Sequence, residues 1–414
     1  MARILAYSSP ATGHVYPMVP GLLALRERGH DVRVIGPHVD ELREAGIAAE
    51  PLDPRIAAVP IRDYEAKEGR DRLHKGLHDL LARGPFERAD LERAIVAYEP
   101  DVLLVDTNAY GAAVAAEASG LPWATVFPSL LPIPGKGIPP YGLGLKPKHG
   151  PLGRLRDRAL FQLVLREYAG AMMPRLNELR EAAGLAPVAD PIAHMFAPDR
   201  LLVLTGEPLE YPRVDTPAHV RFVGAQLWDP PVETPEWLLE DGDPWVLVTC
   251  STEYQGDEAL AAAAIEGLRD EPVRVIVTLA DAHGVAELPR ADNARIERFV
   301  PHGPVLARAA AVVCHGGMGI VQKAVAAGVP IVAVPFGRDQ PEVGRRIAES
   351  KTGVQVKKKD LSAERIRSAV REVRSLRTVA VSPGGAAHFA DAVEELVPVG
   401  LELETHDRSL IREV

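Results

Sequence analysis

The feature that most constrains the fold is an alternation of short, predominantly apolar segments with helix-like segments. In the first half of the chain, the apolar segments lie at residues 3–7, 31–35, 101–105 and 123–127. Strands that are apolar at successive positions are buried on both faces, as in parallel sheets covered by helices. The alternation therefore predicts an α/β domain built around a doubly wound parallel sheet.

The alternation begins again in the second half, with apolar segments at residues 245–250, 273–278, 309–314 and 331–334. A Pro-rich passage separates the halves, so we predict two Rossmann-like domains with a ligand cleft between them. The predicted organisation is an N-terminal domain at residues 1–207, a linker at 208–235, a second domain at 236–385 and a C-terminal helix and tail at 386–414.

Composition excludes several classes of protein. The 414 residues exceed one ordinary core, and the net charge of −10 offers no basic surface for nucleic acid. Residues 1–7 lack the long apolar core of a signal peptide, and no apolar stretch reaches the roughly 18 residues that span a bilayer. Cys250 and Cys314 lie in predicted buried strands, so we expect no disulfide. A cytoplasmic protein without nucleic-acid partner or stable membrane insertion fits these observations.

A glycine-rich turn follows the segment at residues 309–314 and precedes a predicted helix. Its sequence is His315-Gly316-Gly317-Met318-Gly319. Glycines let backbone N–H groups approach an anion closely, and the helix N-terminus adds a favourable dipole. The turn therefore favours a diphosphate ligand, with His315 as an additional N–H donor, although glycines also serve a plain strand-to-helix turn.

Four further polar residues lie at the carboxyl ends of predicted strands and are candidates for catalysis or binding: His14, Asp106, Asp339 and Gln340. His14 follows the first strand and Asp106 ends another strand of the same sheet, so parallel geometry brings them together. A carboxylate bonded to one ring nitrogen would make His14 a general base. Asp339-Gln340 follows the strand at residues 331–334 and offers donors and acceptors for vicinal hydroxyls. The alternatives are a His14 at a helix start that bonds a backbone carbonyl, and helix caps at Asp106 and at Asp339-Gln340.

Residues 299–353 resemble the donor-binding signature of family 1 glycosyltransferases of the GT-B fold, particularly bacterial enzymes that decorate macrolides and other natural products. The resemblance extends along nearly the whole chain, because the first βαβ unit also matches that family. Its marks are Gly13-His14-Val15-Tyr16-Pro17, Arg28-Gly29-His30-Asp31-Val32, Val300-Pro301-His302, His315-Gly316-Gly317-Met318-Gly319, Gly328-Val329-Pro330 and Asp339-Gln340.

The resemblance implies an inverting, metal-independent transfer of sugar from a UDP- or dTDP-sugar to a hydrophobic natural product. The acceptor would bind to the N-terminal half, partly through the Pro- and Gly-rich loop at residues 128–151, and the last helix would cross back to the first domain. The implied roles are general base for His14 with Asp106; nucleotide and diphosphate binding for Thr252, Val300, His302, His315, Gly316, Gly317, Met318 and Gly319; and sugar binding for Asp339 and Gln340.

Two residues depart from the family pattern. Ile320 stands where a Ser or Thr usually contacts a phosphate, and Lys323 stands where a Glu often contacts the ribose. A cation in the first turns of a helix opposes the helix dipole. Lys323 would therefore be balanced by a phosphate or a neighbouring acid, or it points to solvent. The departures affect nucleotide preference and leave the fold prediction unchanged.

No metal or cofactor is expected, because Asp241-Gly242-Asp243 precedes a strand among linker residues and is typical of a turn. Three rival functions stay open: a GT-B sugar-nucleotide epimerase, a non-catalytic sugar-nucleotide-binding protein and a nicotinamide-dependent oxidoreductase. The last predicts a G-x-G-x-x-G motif after a strand, which residues 8–13 and the turn at His315 do not supply. A homodimer is compatible with the sequence.

Overall fold

The computed structural model describes residues 1–67, 69–279, 288–376, 378–381 and 384–398. Within these residues the chain forms two parallel sheets, which confirms the predicted α/β class with two doubly wound domains. The first sheet has seven strands in the order β3-β2-β1-β4-β5-β6-β7. These strands are β1 (Arg3–Tyr7), β2 (Asp31–Ile35), β3 (Ala48–Glu50), β4 (Val102–Asp106), β5 (Trp123–Phe127), β6 (Arg200–Val203) and β7 (Val220–Phe222).

The second sheet has six strands in the order β10-β9-β8-β11-β12-β13. They are β8 (Trp245–Thr249), β9 (Arg274–Thr278), β10 (Ala294–Glu297), β11 (Ala309–Cys314), β12 (Ile331–Ala333) and β13 (Gly353–Gln355).

Fifteen α-helices connect and cover the sheets in the described part of the chain. The helices of the N-terminal half are α1 (Thr12–Val15), α2 (Val19–Glu27), α3 (Val39–Glu44), α4 (Pro54–Ala57), α5 (Gly69–Tyr98), α6 (Tyr110–Ser119), α7 (Pro151–Ala182) and α8 (Pro191–Met195). Those of the C-terminal half are α9 (Glu236–Leu239), α10 (Glu258–Leu268), α11 (His302–Leu306), α12 (Met318–Ala327), α13 (Gln340–Glu349), α14 (Ala363–Arg374) and α15 (Gly385–Glu394). Short 3₁₀ helices lie at Tyr16–Met18, Asp63–Glu65 and Lys358–Asp360.

Both faces of the first sheet are buried, as the continuous apolar strands predict. Along β1, Ile4 and Ala6 belong to one hydrophobic cluster, whereas Leu5 and Tyr7 belong to another. Successive side chains of a strand point to opposite faces, so each cluster lies on one side of the sheet. The second sheet repeats this pattern, with its strands divided between two further clusters.

Strand β7 lies inside the predicted linker at residues 208–235. It pairs in parallel with β6, with Leu201 opposite Val220 and Val203 opposite Phe222. The first sheet therefore extends to Phe222, and the passage to the second sheet begins after that residue. Three residues give too short an apolar pattern to distinguish a strand from Pro-rich loop.

Helix α15 lies against α2 of the N-terminal half. Phe389 and Val393 are fully buried in the same cluster as β1. A Cβ added to Gly21 of α2 would lie 2.3 Å from the Phe389 ring, so the glycine permits this close approach. Residues 399–414 of the predicted C-terminal tail lie outside the described residues.

Candidate active site

The first polar cluster of the cleft lies at the carboxyl ends of two paired strands. Strands β1 and β4 are neighbours, with Tyr7 opposite Val105. Asp106 ends β4, and His14 lies in the short helix α1 after β1. The His14 Nδ1 atom is 2.6 Å from the Asp106 Oδ2 atom, and the Asp106 side chain is fully buried. The strand order thus brings together the two residues expected to form the base.

Asn108 completes this cluster and was not singled out from the sequence. Its backbone N–H donates to Asp106 Oδ1 at 2.9 Å, and its side-chain Nδ2 lies 3.2 Å from His14 Nε2. An amide nitrogen donates, so Nε2 is the acceptor of this bond and the ring proton sits on Nδ1, facing Asp106. The pattern Asp-x-Asn after a buried strand is the signal that could have identified Asn108, because Asp side chains often accept the N–H two residues on.

The pKa of His14 is raised above its ordinary value. Burial of the ring lowers the pKa, but the charge and hydrogen bond of Asp106 raise it, as do the charges of Glu253 and Asp339. Glu253 and Asp339 belong to the C-terminal domain. His14 is therefore a stronger base than free imidazole, and its pKa depends on charges from both domains.

The glycine-rich turn has the geometry of an anion-binding helix start. Strand β11 ends at Cys314, Gly316 adopts a φ of 92°, and α12 begins at Met318. A Cβ on Gly317 would lie 2.3 Å from His315 Nε2, so only glycine fits beneath the imidazole. The ring of His315 therefore lies against Gly317, the residue that directly precedes α12.

His315 is neutral in this environment. The pKa of its ring is lowered by burial, which outweighs the opposing charge of Asp257. The His315 Nδ1 atom lies 3.9 Å from the Asp257 carboxylate, and that carboxylate also accepts the Ser251 backbone N–H at 2.7 Å. Asp257 was not identified from the sequence, because it lies 58 positions before His315 with no local motif.

Val300 and His302, two of the residues predicted to bind the nucleotide, differ in how much of them can reach a ligand in the cleft. The side chain of Val300 is fully buried in the core of the second domain, so its backbone alone can reach a ligand. The neighbouring Phe299 ring is 47% exposed and was not predicted. Burial and the charge of Lys323 lower the pKa of His302 to about 4, so this imidazole is neutral. Thr252, in the loop after β8, is exposed.

The two departures from the family pattern have definite surroundings. Ile320 is buried in the same core cluster as Val300, so its side chain stabilises the start of α12 by packing. Lys323 forms an ion pair with Asp229, whose other oxygen accepts the Gly303 N–H at 3.0 Å. A neighbouring acid therefore balances the Lys323 charge.

Asp339 and Gln340 play different parts in the loop after β12. Asp339 Oδ2 accepts a hydrogen bond of 2.6 Å from the Ser129 hydroxyl of the N-terminal half. Gln340 is 2% exposed, and its Oε1 accepts the N–H groups of Phe336 and Gly337 at 2.8 and 3.2 Å. Its Nε2 donates to Gln255 at 2.6 Å. Asp339 thus reaches the cleft, whereas the Gln340 amide ties the loop together.

Among the residues that the structure describes, no group of three or more His, Cys, Asp or Glu side chains is arranged to bind a metal ion. Metal independence stays a prediction. The carbonyls of Glu240 and Asp243, in the predicted turn before β8, accept hydrogen bonds from Arg274.

Comparison with known proteins identifies the family. Residues 263–391 match the model of the erythromycin biosynthesis protein CIII-like C-terminal domain. The chain is 33% identical over 389 residues to 4'-demethylrebeccamycin synthase of Lentzea aerocolonigenes, covering 90% of this chain and 91% of that protein. The chain belongs to the natural-product glycosyltransferases of the GT-B fold. The family assignment from residues 299–353 is thereby confirmed.

Solved structures agree with the fold of this glycosyltransferase. The calicheamicin glycosyltransferase CalG4 matches with a TM-score of 0.71 at 22% identity, covering 96% of this chain and 98% of the other. A spinosyn rhamnosyltransferase complexed with thymidine diphosphate matches with a TM-score of 0.62 at 19% identity, covering 96% of both chains. None of the helices in the described part of the glycosyltransferase is long and apolar enough to cross a membrane.

Proposed function

We propose that this glycosyltransferase moves a sugar from a UDP- or dTDP-sugar to a hydroxyl of a hydrophobic natural product, with inversion at the anomeric carbon. The observation that carries the proposal is the His14 cluster. Its Nδ1–H faces Asp106, and its Nε2 is an acceptor directed at the amide of Asn108. An acceptor hydroxyl that replaces this amide would meet a base with a fixed tautomer.

The reaction is a single displacement. The acceptor oxygen attacks the anomeric carbon as its proton moves to His14 Nε2, and the bond from that carbon to the diphosphate oxygen breaks. Asp106 stabilises the imidazolium that forms, because its buried carboxylate accepts the Nδ1–H. One displacement by an attacking group opposite the leaving group inverts the configuration.

The donor diphosphate would bind at the start of α12. Backbone amides of residues 316–319 and the neutral His315 ring supply N–H donors there, and the helix dipole favours the negative charge. These groups also stabilise the diphosphate as it leaves, so no metal is required by the proposal. The related rhamnosyltransferase complexed with thymidine diphosphate supports a dTDP-sugar as one donor class.

The acceptor would bind between the His14 cluster and the loop at residues 128–150. Leu131 and Ile133 of this loop are buried, and burial, followed by the charge of Asp339, raises the pKa of the Tyr141 phenol. Apolar groups beside a few polar ones are typical of pockets for drug-sized ligands. Relatives named for rebeccamycin and calicheamicin support a large natural-product acceptor.

A mass-spectrometric transfer assay with UDP- and dTDP-sugars and a panel of aromatic and macrolide aglycones tests this proposal. The expected product carries one sugar, has inverted anomeric configuration by NMR and forms equally in EDTA. An epimer produced from donor alone would support the epimerase instead. Donor binding without transfer to any aglycone would support a non-catalytic binding protein.

A further inference from the structure

The backbone of Arg338 is unusual for its residue type. It adopts a φ of 55°, in the left-handed region that non-glycine residues rarely occupy. Arg338 directly precedes Asp339, the residue that reaches into the cleft. A strained conformation persists only where its surroundings enforce it, so the contacts of the Arg338 side chain are informative.

The Arg338 guanidinium forms a bidentate pair with Asp63 of the N-terminal domain. The Nε and one terminal nitrogen donate to the two oxygens of Asp63 at 3.1 and 2.9 Å. The guanidinium also bonds to Glu253 of its own domain. The Asp63 residue is buried, and fork-to-fork pairs of this kind are strong and geometrically specific. The donor-sugar loop is therefore attached to the opposite domain by its own side chain.

Two further contacts join the same pieces of the two domains. Arg72 of α5 donates to the carbonyl of Phe336 at 2.9 Å and to Ala66 at 2.9 Å, so it bridges the loop and the segment that carries Asp63. The Tyr64 ring meets the Tyr254 ring edge-on, with centroids 4.9 Å apart. The segment at residues 62–66 thus contacts both loops that surround the donor side of the cleft.

The loop that Arg338 anchors is otherwise fixed within the C-terminal domain by Gln340. Its amide oxygen accepts two backbone N–H groups at the start of the loop. Asp339 sits between the two anchors, Arg338 on one side and Gln340 on the other. Its carboxylate also accepts the Ser129 hydroxyl of the N-terminal half, so contacts with that half hold both the Asp339 side chain and the backbone next to it.

We propose that Asp63 and Arg338 form an interdomain clasp that closes the cleft and positions Asp339 against the sugar of the donor. The inference rests on the proposed function for the identity of the sugar ligand. The clasp makes the acceptor domain a positioning element for the donor sugar, so the sugar site is complete only when the domains are closed. Asp63 and Arg338 are positioning residues, since they act through Asp339.

The experiment compares Asp63→Asn, Arg338→Asn and the double variant in the full chain. Asn tolerates the left-handed backbone at position 338, so that variant loses the clasp with little added strain. Arg371→Asn is the matched control, because Arg371 makes a bidentate pair with Glu271 inside the C-terminal domain. Thermal unfolding verifies that each variant is folded, and Arg338→Asn carries the test if Asp63→Asn is not.

We expect kcat/KM for the nucleotide sugar to fall by roughly 10- to 100-fold in each clasp variant, as for a misplaced binding group. The dissociation constants of UDP and dTDP, which lack the sugar, should stay within about twofold. The double variant should lose no more than the worse single variant, because both changes remove one contact. The proposal would be overturned if the kcat/KM losses of the two single variants multiplied in the double variant. It would also be overturned if the affinities for UDP and dTDP fell as much as kcat/KM.

Small-angle scattering separates the clasp from the proposed function. The radius of gyration should increase in both single variants and stay unchanged in Arg371→Asn, and this measurement needs no substrate. If the wild type transferred no sugar, the proposed function would fail while the clasp was still judged by scattering. An unchanged radius of gyration in Asp63→Asn and Arg338→Asn would refute the clasp.

Discussion

Replacing Asp106 by Asn tests His14 as the general base, because Asp106 faces the Nδ1 atom of the His14 ring. The two Asp106 oxygens accept from His14 Nδ1 and from the Asn108 backbone N–H. Asparagine has one acceptor and one donor end, so one of these bonds becomes a donor facing a donor. If the backbone N–H keeps the oxygen, His14 is driven to the other tautomer and its Nε2 carries the proton. The side chain would then have no lone pair for the acceptor hydroxyl.

The expected loss in kcat is roughly 10²- to 10⁴-fold, the range for general bases and for a triad Asp changed to Asn. Leaving one buried polar group without its partner costs about 1–3 kcal/mol of the free energy of unfolding. A chain with about 5–15 kcal/mol of stability stays more than about 95% folded after such a loss. Unfolding therefore cannot account for the expected drop in activity.

The assay measures kcat with saturating donor and acceptor, together with dTDP and UDP affinity by calorimetry. Asp101→Asn is the matched control, because Asp101 precedes the same strand and its carboxylate accepts the Arg3 N–H at 2.7 Å, away from the cleft. We expect wild-type kcat in Asp101→Asn and unchanged nucleotide affinity in both. A kcat for Asp106→Asn within threefold of wild type would refute His14 as the base.

Three further changes test His14, the turn at His315 and the packing of the last helix. Because the pKa of His14 is raised in the folded state, protonation of His14 stabilises the fold below the unfolded-state pKa of about 6.5. The free energy of unfolding should therefore be larger for wild type than for His14→Gln at pH 5.5, and this difference should be lost as the pH rises through the folded-state pKa. A constant difference from pH 5 to 9 would contradict this. Gly317→Ala should displace the His315 ring and weaken dTDP binding by roughly tenfold or more. Gly170→Ala is the control, because open space surrounds the new methyl group, and it should leave dTDP binding unchanged. Equal dTDP affinities of the two variants by calorimetry would contradict diphosphate binding at this turn. Phe389→Ala should lower the free energy of unfolding by about 3–5 kcal/mol in urea titrations, since the ring is fully buried against α2, and a loss below about 1 kcal/mol would be inconsistent with this packing.

The sequence was sufficient for the long elements because burial on both faces leaves an unambiguous mark. Strand β4 is apolar over the four residues before Asp106, and β11 is apolar over all six of its residues. Strands β3, β7 and β13 have only three residues each, and their pairing is decided by neighbours far along the chain. A pattern of that length carries no period, and sequence reasoning did not identify these strands; β12 is equally short but was predicted because its apolar run continues to Val334.

The same distinction applies to the cleft. His14 and Asp106 were identifiable because strand order alone brings their loops together, and the turn at His315 because glycines mark it locally. Val300 shows the limit of such reasoning, because membership of a motif does not reveal that a side chain points into the core. Phe299, one residue earlier, is the exposed one, and a single apolar pair gives no means of telling them apart.

For Lys323, sequence reasoning could not identify the partner of the side chain. A lysine near the start of α12 opposes the helix dipole, and the sequence left three surroundings open for it: a phosphate, a neighbouring acid or solvent. The partner is Asp229, 94 residues away in the passage between the two sheets, and it also caps the Gly303 N–H beside His302. The pair links the nucleotide edge of the second domain to the interdomain passage. Asp229 therefore joins α11 and α12 to the interdomain passage, beside the edge where we propose that the nucleotide binds.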